Sequence, residues 1–236
     1  MINKNCRLVI QDAYLYDIVS CFPSIMSNLN WNFNGVDLTN KKERSKKIGI
    51  DQIDNENLSS YLINSAENLV KFYLDENGVQ EEEVILIQRD GCIVTKFLDN
   101  TDEFINMKYR GHISPLIISP LRNSYLTVID EDVDVKGVSH YYPALQKIYS
   151  KFVNLNFFDK KVLFSQLDFI KKSFIESNEK ELFMIPHEEE FAIITKEHGN
   201  LIVQHSELFD IEDINREHYY KHYVMPFLKA IYLEFY

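Results

Sequence analysis

Two aspartates, Asp17 and Asp90, stand at positions where an acidic side chain could do chemistry. Asp17 lies near the end of a segment of β-branched and aromatic residues that is typical of a strand. Asp90 lies at the tip of a hairpin predicted from two apolar runs. If the strand lies beside the hairpin, the two carboxylates converge although 73 residues separate them (90 − 17). Because magnesium binds through oxygen ligands such as carboxylates, the pair predicts a site for divalent cations.

Other side-chain constellations indicate no alternative chemistry. The three cysteines, Cys6, Cys21 and Cys92, show no CxxC spacing, so buried thiols are expected in place of a zinc site or a disulfide framework. No Gly-rich phosphate loop and no spacing typical of a metalloprotease or a serine hydrolase is present. His218 and His222 form an i, i+4 pair, but two histidines alone are more often surface residues than metal ligands.

The elements that must position the two acids can be predicted from local patterns. Residues 7–19 indicate one or two strands. A helix is predicted after Asn55, with Leu58, Leu62, Ala66, Leu69 and Phe72 or Tyr73 on one face and Gly78 as its stop. The runs EVILIQ and CIVTKF, joined through Arg89, Asp90 and Gly91, predict the hairpin, and the helix between the two acids would back the sheet.

Helical patterns dominate the second part of the chain. After a strand at SYLTVID they run from about Tyr141 to Ser177, with Asp159 as a helix N-cap. Strands are expected at FAIIT and LIVQH, followed by an aromatic-rich helix from about Asn215. The fold class predicted is α+β, with the first domain over residues 1–140 and a mostly helical region over residues 141–236.

Composition limits the possible locations and partners. No signal peptide and no apolar run of membrane-spanning length is visible, so a cytoplasmic protein is expected. The formal net charge of −11 opposes indiscriminate binding to phosphate backbones. The charge is uneven, however, and the basic segments 41–47 and 160–172 could still hold nucleic acid.

The segment around Asp17 carries a specific resemblance. The ten residues DIVSCFPSIM, which begin at Asp17, resemble the first catalytic motif of the family B DNA polymerases, in which an Asp precedes SLYPSIM. The resemblance implies that Asp17 binds metal, that the backbone of Ser20, Cys21 and Phe22 faces a nucleotide triphosphate, and that Phe22 occupies the aromatic sugar-gating position. The alternative is a strand-end Asp followed by an ordinary helix start.

The hairpin ILIQRDGCIV resembles the third motif of the same family, in which two Asp flank one residue before a Ser. Gln88 stands at the first Asp position, Asp90 at the second and Gly91 at the Ser position. In the family the second Asp shares the metals with the first-motif Asp, so the resemblance implies that Asp17 and Asp90 are both catalytic and metal-binding. The alternative is a plain hairpin turn.

Two further segments resemble the family in the same chain order. Lys41 and Gly49 keep the spacing of the second motif, which implies nucleotide binding by Lys41 with Arg44 or Lys47 assisting, whereas a solvated basic loop is the alternative. FINMKYRGHI resembles the family's KKRY-type segment and implies contacts of Lys108 and Tyr109 with a primer duplex; the alternative is a surface Lys beside a core Tyr. The C-terminal segment from Ile214 resembles the thumb helix.

The resemblance as a whole implies a palm and thumb without an exonuclease domain. Only the fourteen residues from Ser27 to Asn40 are available where the family has long finger helices, so a partner chain could be needed to supply the missing parts. The implied activity is two-metal nucleotidyl transfer with Mg²⁺ and deoxynucleotides on a primer-template, in DNA replication of a viral or phage-like kind. Two alternatives are a palm that has lost catalysis and binds nucleic acid or protein, and an unrelated α+β protein in which residues 84–98 would not form a hairpin.

Overall fold

The computed structural model describes residues 2–33, 35–37, 39–99, 106–138, 143–187, 190–194, 201–203 and 210–236. The boundary expected near residue 140 lies outside these residues. The chain forms two compact units. The first comprises Met1–Cys6 and Ala13–His112, and the second comprises Arg7–Asp12 and Ile113–Tyr236.

The main sheet is antiparallel, and its seven strands follow the order β3-β4-β2-β5-β6-β7, with β1 paired to β5. The strands are β1 (Val9–Ile10), β2 (Ala13–Ile18), β3 (Val84–Gln88), β4 (Gly91–Val94), β5 (Met107–Ile118), β6 (Tyr125–Ile129) and β7 (Asp132–Lys136). The predicted α+β class with an antiparallel sheet backed by helices is confirmed. Residues 84–94 form a hairpin, as predicted, which counts against the reading as an unrelated protein.

Three helices belong to the first unit: α1 (Cys21–Asn28), α2 (Lys41–Asp54) and α3 (Glu56–Glu76). The helix predicted after Asn55 is α3, and Gly78 follows its end with a φ of +61°. Its buried face includes Val70 and Tyr73, whereas Phe72 is 49% exposed and Leu69 only partly buried. Fully buried side chains such as Leu62 and Val70 contribute about 1.5–3 kcal/mol each to folding. This face packs with β2 and β4 residues in one core, so α3 backs this part of the sheet.

The basic segment that begins at Lys41 is a helix. The side chain of Asn40 accepts hydrogen bonds from the backbone N–H groups of Lys42 and Glu43, which fixes the start of α2. The alternative of a solvated basic loop is therefore wrong, because a capped start and a 14-residue helix satisfy the backbone of this segment.

The second unit contains the hairpin β6–β7 and several helices. Its helices are α4 (Gln146–Tyr149), α5 (Lys160–Ile175), α6 (Arg216–Tyr219) and α7 (Met225–Phe235), with a single π-helical turn, Tyr220–Val224, between α6 and α7. Asp159 is the N-cap of α5, as predicted, and accepts hydrogen bonds from the N–H groups of Lys161 and Val162. A small antiparallel sheet of β8 (Ile185–His187), β9 (Glu190–Ile194) and β10 (Leu201–Val203) completes the described part of this unit.

No helix in the described ranges is long and apolar enough to cross a lipid bilayer.

Candidate active site

Backbone pairing brings Asp17 and Asp90 to the same end of the sheet. Asp17 lies opposite Gly91 in the register of β2 and β4, one position from Asp90. The N–H of Ile18 donates to the carbonyl of Asp90 at 2.8 Å. The turn itself is tight, because Gln88 pairs with Gly91 and only Arg89 and Asp90 lie between them. Arg89 takes a φ of +52°, the left-handed region that non-glycine residues adopt at a cost.

The two carboxylates influence each other electrostatically. Burial, and after it the negative charge of Asp17, raises the pKa of Asp90, while Arg89 and Arg110 act in the opposite direction. Burial together with both acids raises the pKa of the neighbouring Cys21 thiol to about 12. Cys21 is therefore an inert buried thiol at neutral pH, as the cysteine pattern predicts.

Arg110 on β5 is a site residue that the motifs do not identify. Its guanidinium Nη2 lies 3.0 Å from Oδ2 of Asp17, and the two side chains are 41% and 35% exposed. Side chains alternate along a strand, so Arg110 falls on the same face of β5 as Lys108, two residues earlier. Strand alternation thus groups Arg110 with the predicted nucleic-acid residue Lys108, but it does not predict the pairing of Arg110 with Asp17.

Gly91 stands where the third motif of the family B polymerases has a Ser, and it faces the acids. A Cβ built there would lie 3.0 Å from the carbonyl oxygen of Tyr16 and 3.8 Å from Oδ1 of Asp17. A Cβ at this position would therefore crowd the backbone of β2, whereas its contact with the carboxylate of Asp17 would be an ordinary van der Waals contact.

The start of α1 supplies backbone donors to the same place. Ser20 precedes the helix with a φ of +54°, and its side chain caps no N–H group. Cys21 is fully buried, and Phe22 packs partly against the core of this unit. A helix N-terminus carries a partial positive charge, which favours anions such as phosphate.

One face of α2 also faces the acids. Lys41 and Arg44, separated by one helical turn, line the cleft, and Gln52 extends the same face. Lys47 does not line it; its ammonium instead pairs with the buried Asp51, whose other oxygen accepts a hydrogen bond from the indole of Trp31. Lys47 thus anchors α2, and of the two residues predicted to assist Lys41 it is Arg44 that lines the cleft.

These elements enclose a cleft of about 420 Å³. Its lining includes three cationic side chains, Lys41, Arg44 and Arg110, and two acidic ones, Asp17 and Asp90. Both acids line the same cleft, and the cations can bind phosphate oxygens. The cleft therefore has the groups needed to hold a phosphorylated ligand together with a divalent cation.

The donor set fits magnesium. Mg²⁺ is usually held by one or two carboxylates together with phosphate oxygens of a substrate, and Asp17 and Asp90 supply two carboxylates. Across the described residues no group of three or more His, Cys, Asp and Glu side chains forms a closed metal cage. A site of this kind would depend on the substrate for its remaining ligands.

The predicted nucleic-acid residues lie outside the cleft. Lys108 is exposed on β5. Tyr109 is 42% exposed, and its ring packs against Tyr16 at 5.6 Å and Phe97 at 5.5 Å between centroids. The structure thus gathers Asp17, Asp90 and the predicted nucleotide-binding residues, but not Lys108 and Tyr109, in one cleft. His218 and His222 lie with ring centroids 4.2 Å apart in the second unit, where burial lowers the pKa of His218.

Comparison with known proteins supports the fold alone. No protein-family model and no curated protein matches the sequence. The structure is similar to that of the family B DNA polymerase from the hyperthermophilic archaeon Pyrobaculum calidifontis, with a TM-score of 0.50 and 9% sequence identity. The similarity covers 98% of this chain and 46% of the polymerase, so the chain spans about half the length of that protein.

Proposed function

We propose that this protein is a minimal or split polymerase that transfers nucleotides onto a primer-template by two-metal chemistry. The observation that carries the proposal is the cleft that Asp17 and Asp90 line together with Lys41, Arg44 and Arg110. Similarity of the fold to a family B DNA polymerase supports this reading. Residues 1–140 serve as a palm and residues 141–236 as a thumb.

Each residue of the cleft has a role in this proposal. Asp17 and Asp90 would hold two Mg²⁺ ions, which would supply activation of the attacking hydroxyl and stabilisation of the leaving group. Lys41 and Arg44 bind the triphosphate of a deoxynucleotide, assisted by the backbone of Ser20, Cys21 and Phe22. The electrostatic field of these groups lowers the barrier because it acts where negative charge develops.

Binding of the remaining substrate involves other surfaces. Phe22 limits the space beside the sugar, and Lys108 and Tyr109 contact the primer-template backbone. The connection from Ser27 to Asn40 is too short for long finger helices, so closure over the nucleotide is supplied by a partner chain.

Primer extension with magnesium or manganese tests the catalytic assignment. Asp17→Asn and Asp90→Asn should each reduce extension by more than about a hundredfold, because bound metal supplies several kcal/mol of charge stabilisation in the transition state. Asp54→Asn, the loss of an exposed acid at the end of α2, is the matched control and should retain activity. Extension that persists unchanged in both cleft variants would refute the roles given to these acids.

A second candidate function is a catalytically inactive palm that binds nucleic acid or a protein. Two observations favour it. Gln88 stands where the third motif of the family has its first Asp, and Arg110 already forms an ion pair with Asp17. This reading expects no incorporation with any primer-template and either metal, while binding of primer-template survives Asp17→Asn and Asp90→Asn. Primer extension by the unaltered protein separates the two candidates, and electrophoretic mobility shifts with the same variants show whether an inactive palm still binds primer-template.

A further inference from the structure

The ion pair between Arg110 and Asp17 is the feature of the cleft that the proposed function does not require. Nη2 of Arg110 lies 3.0 Å from Oδ2 of Asp17, within charge-assisted hydrogen-bonding distance. An arginine is charged at every accessible pH, so this pairing cannot be relieved by deprotonation of the guanidinium. Arg110 also lines the same cleft as Lys41 and Arg44.

The guanidinium and a divalent cation compete for one carboxylate. Asp17 is the proposed ligand, and one of its two oxygens already accepts from Arg110. A divalent cation placed beside a bound guanidinium would meet electrostatic repulsion from it. Arg110 must therefore leave Asp17, or weaken the binding of the ion, whenever a cation enters.

We propose that Arg110 is a movable counter-ion that holds Asp17 until a divalent cation arrives and then binds the triphosphate of the incoming nucleotide. This inference rests on the proposed function, and it assigns Arg110 two successive partners in one cleft. Its planar guanidinium suits both, because it binds carboxylate and phosphate oxygens in the same forked geometry. The positive charge of Arg110 thus stays in the cleft throughout and moves from the acid to the substrate.

The exposure of the pair makes such an exchange feasible. With side chains 41% and 35% exposed, Arg110 and Asp17 are largely screened by solvent. Ion pairs of this kind change an equilibrium by a factor of about 5 at most. A divalent cation that gains both acids as ligands can displace a partner held this weakly.

The first experiment measures Mn²⁺ binding to the full chain by electron paramagnetic resonance, without nucleotide or primer-template. Arg110→Gln should bind Mn²⁺ about three- to fivefold more tightly than the unaltered protein, because the competing cation is gone. Lys46→Gln removes one positive charge from an exposed position on α2 that does not line the cleft, and its Mn²⁺ affinity should change by less than about twofold. Asp17→Asn should lose the tight site.

The second experiment measures binding of dATP in the presence of saturating Mn²⁺ by calorimetry. Arg110→Gln should now bind about fivefold more weakly, because the triphosphate has lost a cationic partner. Arg110→Lys keeps the charge without the planar fork and should fall between the two proteins. Arg110→Gln should thus raise the affinity for Mn²⁺ and lower the affinity for dATP. This pair of opposite effects is the evidence for the exchange.

The outcomes separate this inference from the proposed function. If the unaltered protein binds Mn²⁺ through Asp17 and Arg110→Gln leaves that affinity unchanged or lower, Arg110 does not compete and the inference fails while the metal site stands. If Mn²⁺ affinity rises but dATP binding is unaffected, the move to the triphosphate is wrong. If neither the unaltered protein nor Arg110→Gln binds Mn²⁺, with or without dATP, the proposed function itself fails.

Discussion

At the scale of single residues, Asp90 combines a proposed metal-binding position with an energetic cost. Burial and the nearby charge of Asp17 raise the pKa of Asp90, which means that the fold disfavours its ionised form. Cation binding requires that same ionised form. A residue kept for metal binding and not for stability is expected to show this conflict.

The conflict predicts a pH-dependent gain in stability for Asp90→Asn. The pKa of Asp90 is higher in the folded state than in the unfolded state, so the protonated side chain favours folding at pH values below the unfolded pKa. This contribution to stability is lost as the pH rises through the folded-state pKa. At pH 7 the ionised side chain therefore costs stability, and Asp90→Asn should raise Tm by a few degrees. At about pH 3, below the usual pKa of an aspartate, the gain should disappear.

Thermal unfolding followed by circular dichroism at the two pH values, without divalent cations, measures this effect. Asp54→Asn is the control for the loss of one exposed negative charge in the same unit. Equal Tm changes for the two variants, or a larger gain for Asp90→Asn at low pH, would contradict the sign argued here.

At the scale of elements, α2 decides which basic residues reach the acids. The five cations of the segment 41–47 could all have faced a ligand in a loop, but the helix places only Lys41 and Arg44 in the lining of the cleft. Lys47 fixes the helix through buried Asp51, which in turn holds Trp31. The helix therefore places the cations that reach the cleft, Lys41 and Arg44, on one of its sides.

Adjacent lysines on α2 provide a test of this arrangement. Lys41→Gln should weaken deoxynucleotide binding about fivefold, because loss of one solvent-screened charge contact changes an affinity by about that factor. Lys42→Gln should change the affinity by less than about twofold. Lys42 is exposed, follows Lys41 directly and does not line the cleft. Calorimetric titration of dATP with Mn²⁺ compares the two variants. Equal losses would mean that general charge, and not the helix face, governs binding.

At the scale of the whole molecule, a net charge of −11 must be reconciled with the primer-template proposed as the substrate. The lining of the cleft carries three cations against two acids, so attraction is local and depends on a few side chains. Binding of a primer-template by such a protein should be weak, with a salt dependence set by the small number of cations that contact phosphate.

Removal of one cation that contacts the backbone should reduce this salt dependence in a countable way. Lys108→Gln should lower the slope of log affinity against log salt by about one and weaken binding of every sequence alike. Lys71→Gln, on the exposed side of α3, is the matched control and should leave the slope unchanged. Fluorescence anisotropy with a labelled primer-template over a salt series measures both slopes. An unaltered slope for Lys108→Gln would remove this residue from the interface.

Much of the fold could be predicted from the sequence because its signals are local. The periodicity from Leu58 to Tyr73 determined α3, the Arg89–Asp90 turn between two apolar runs determined the hairpin, and Asp159 marked the start of α5. Each depends on hydrogen bonds or side-chain contacts between residues close in the chain. The same local signals predicted that Asp17 lies near the end of a strand and Asp90 at the tip of a hairpin.

The tertiary structure decided what those elements do together. The ion pair of Arg110 with Asp17 joins residues that are 93 positions apart in the sequence. No local sequence pattern predicts that two such residues come into contact. The segment at Lys41 contained mostly charged residues with little apolar periodicity, so only the Asn40 cap and the anchor at Asp51 made it a helix with a defined face. Sequence determines local conformation through neighbouring residues, whereas a site depends on the register between strands and on charges brought together by folding.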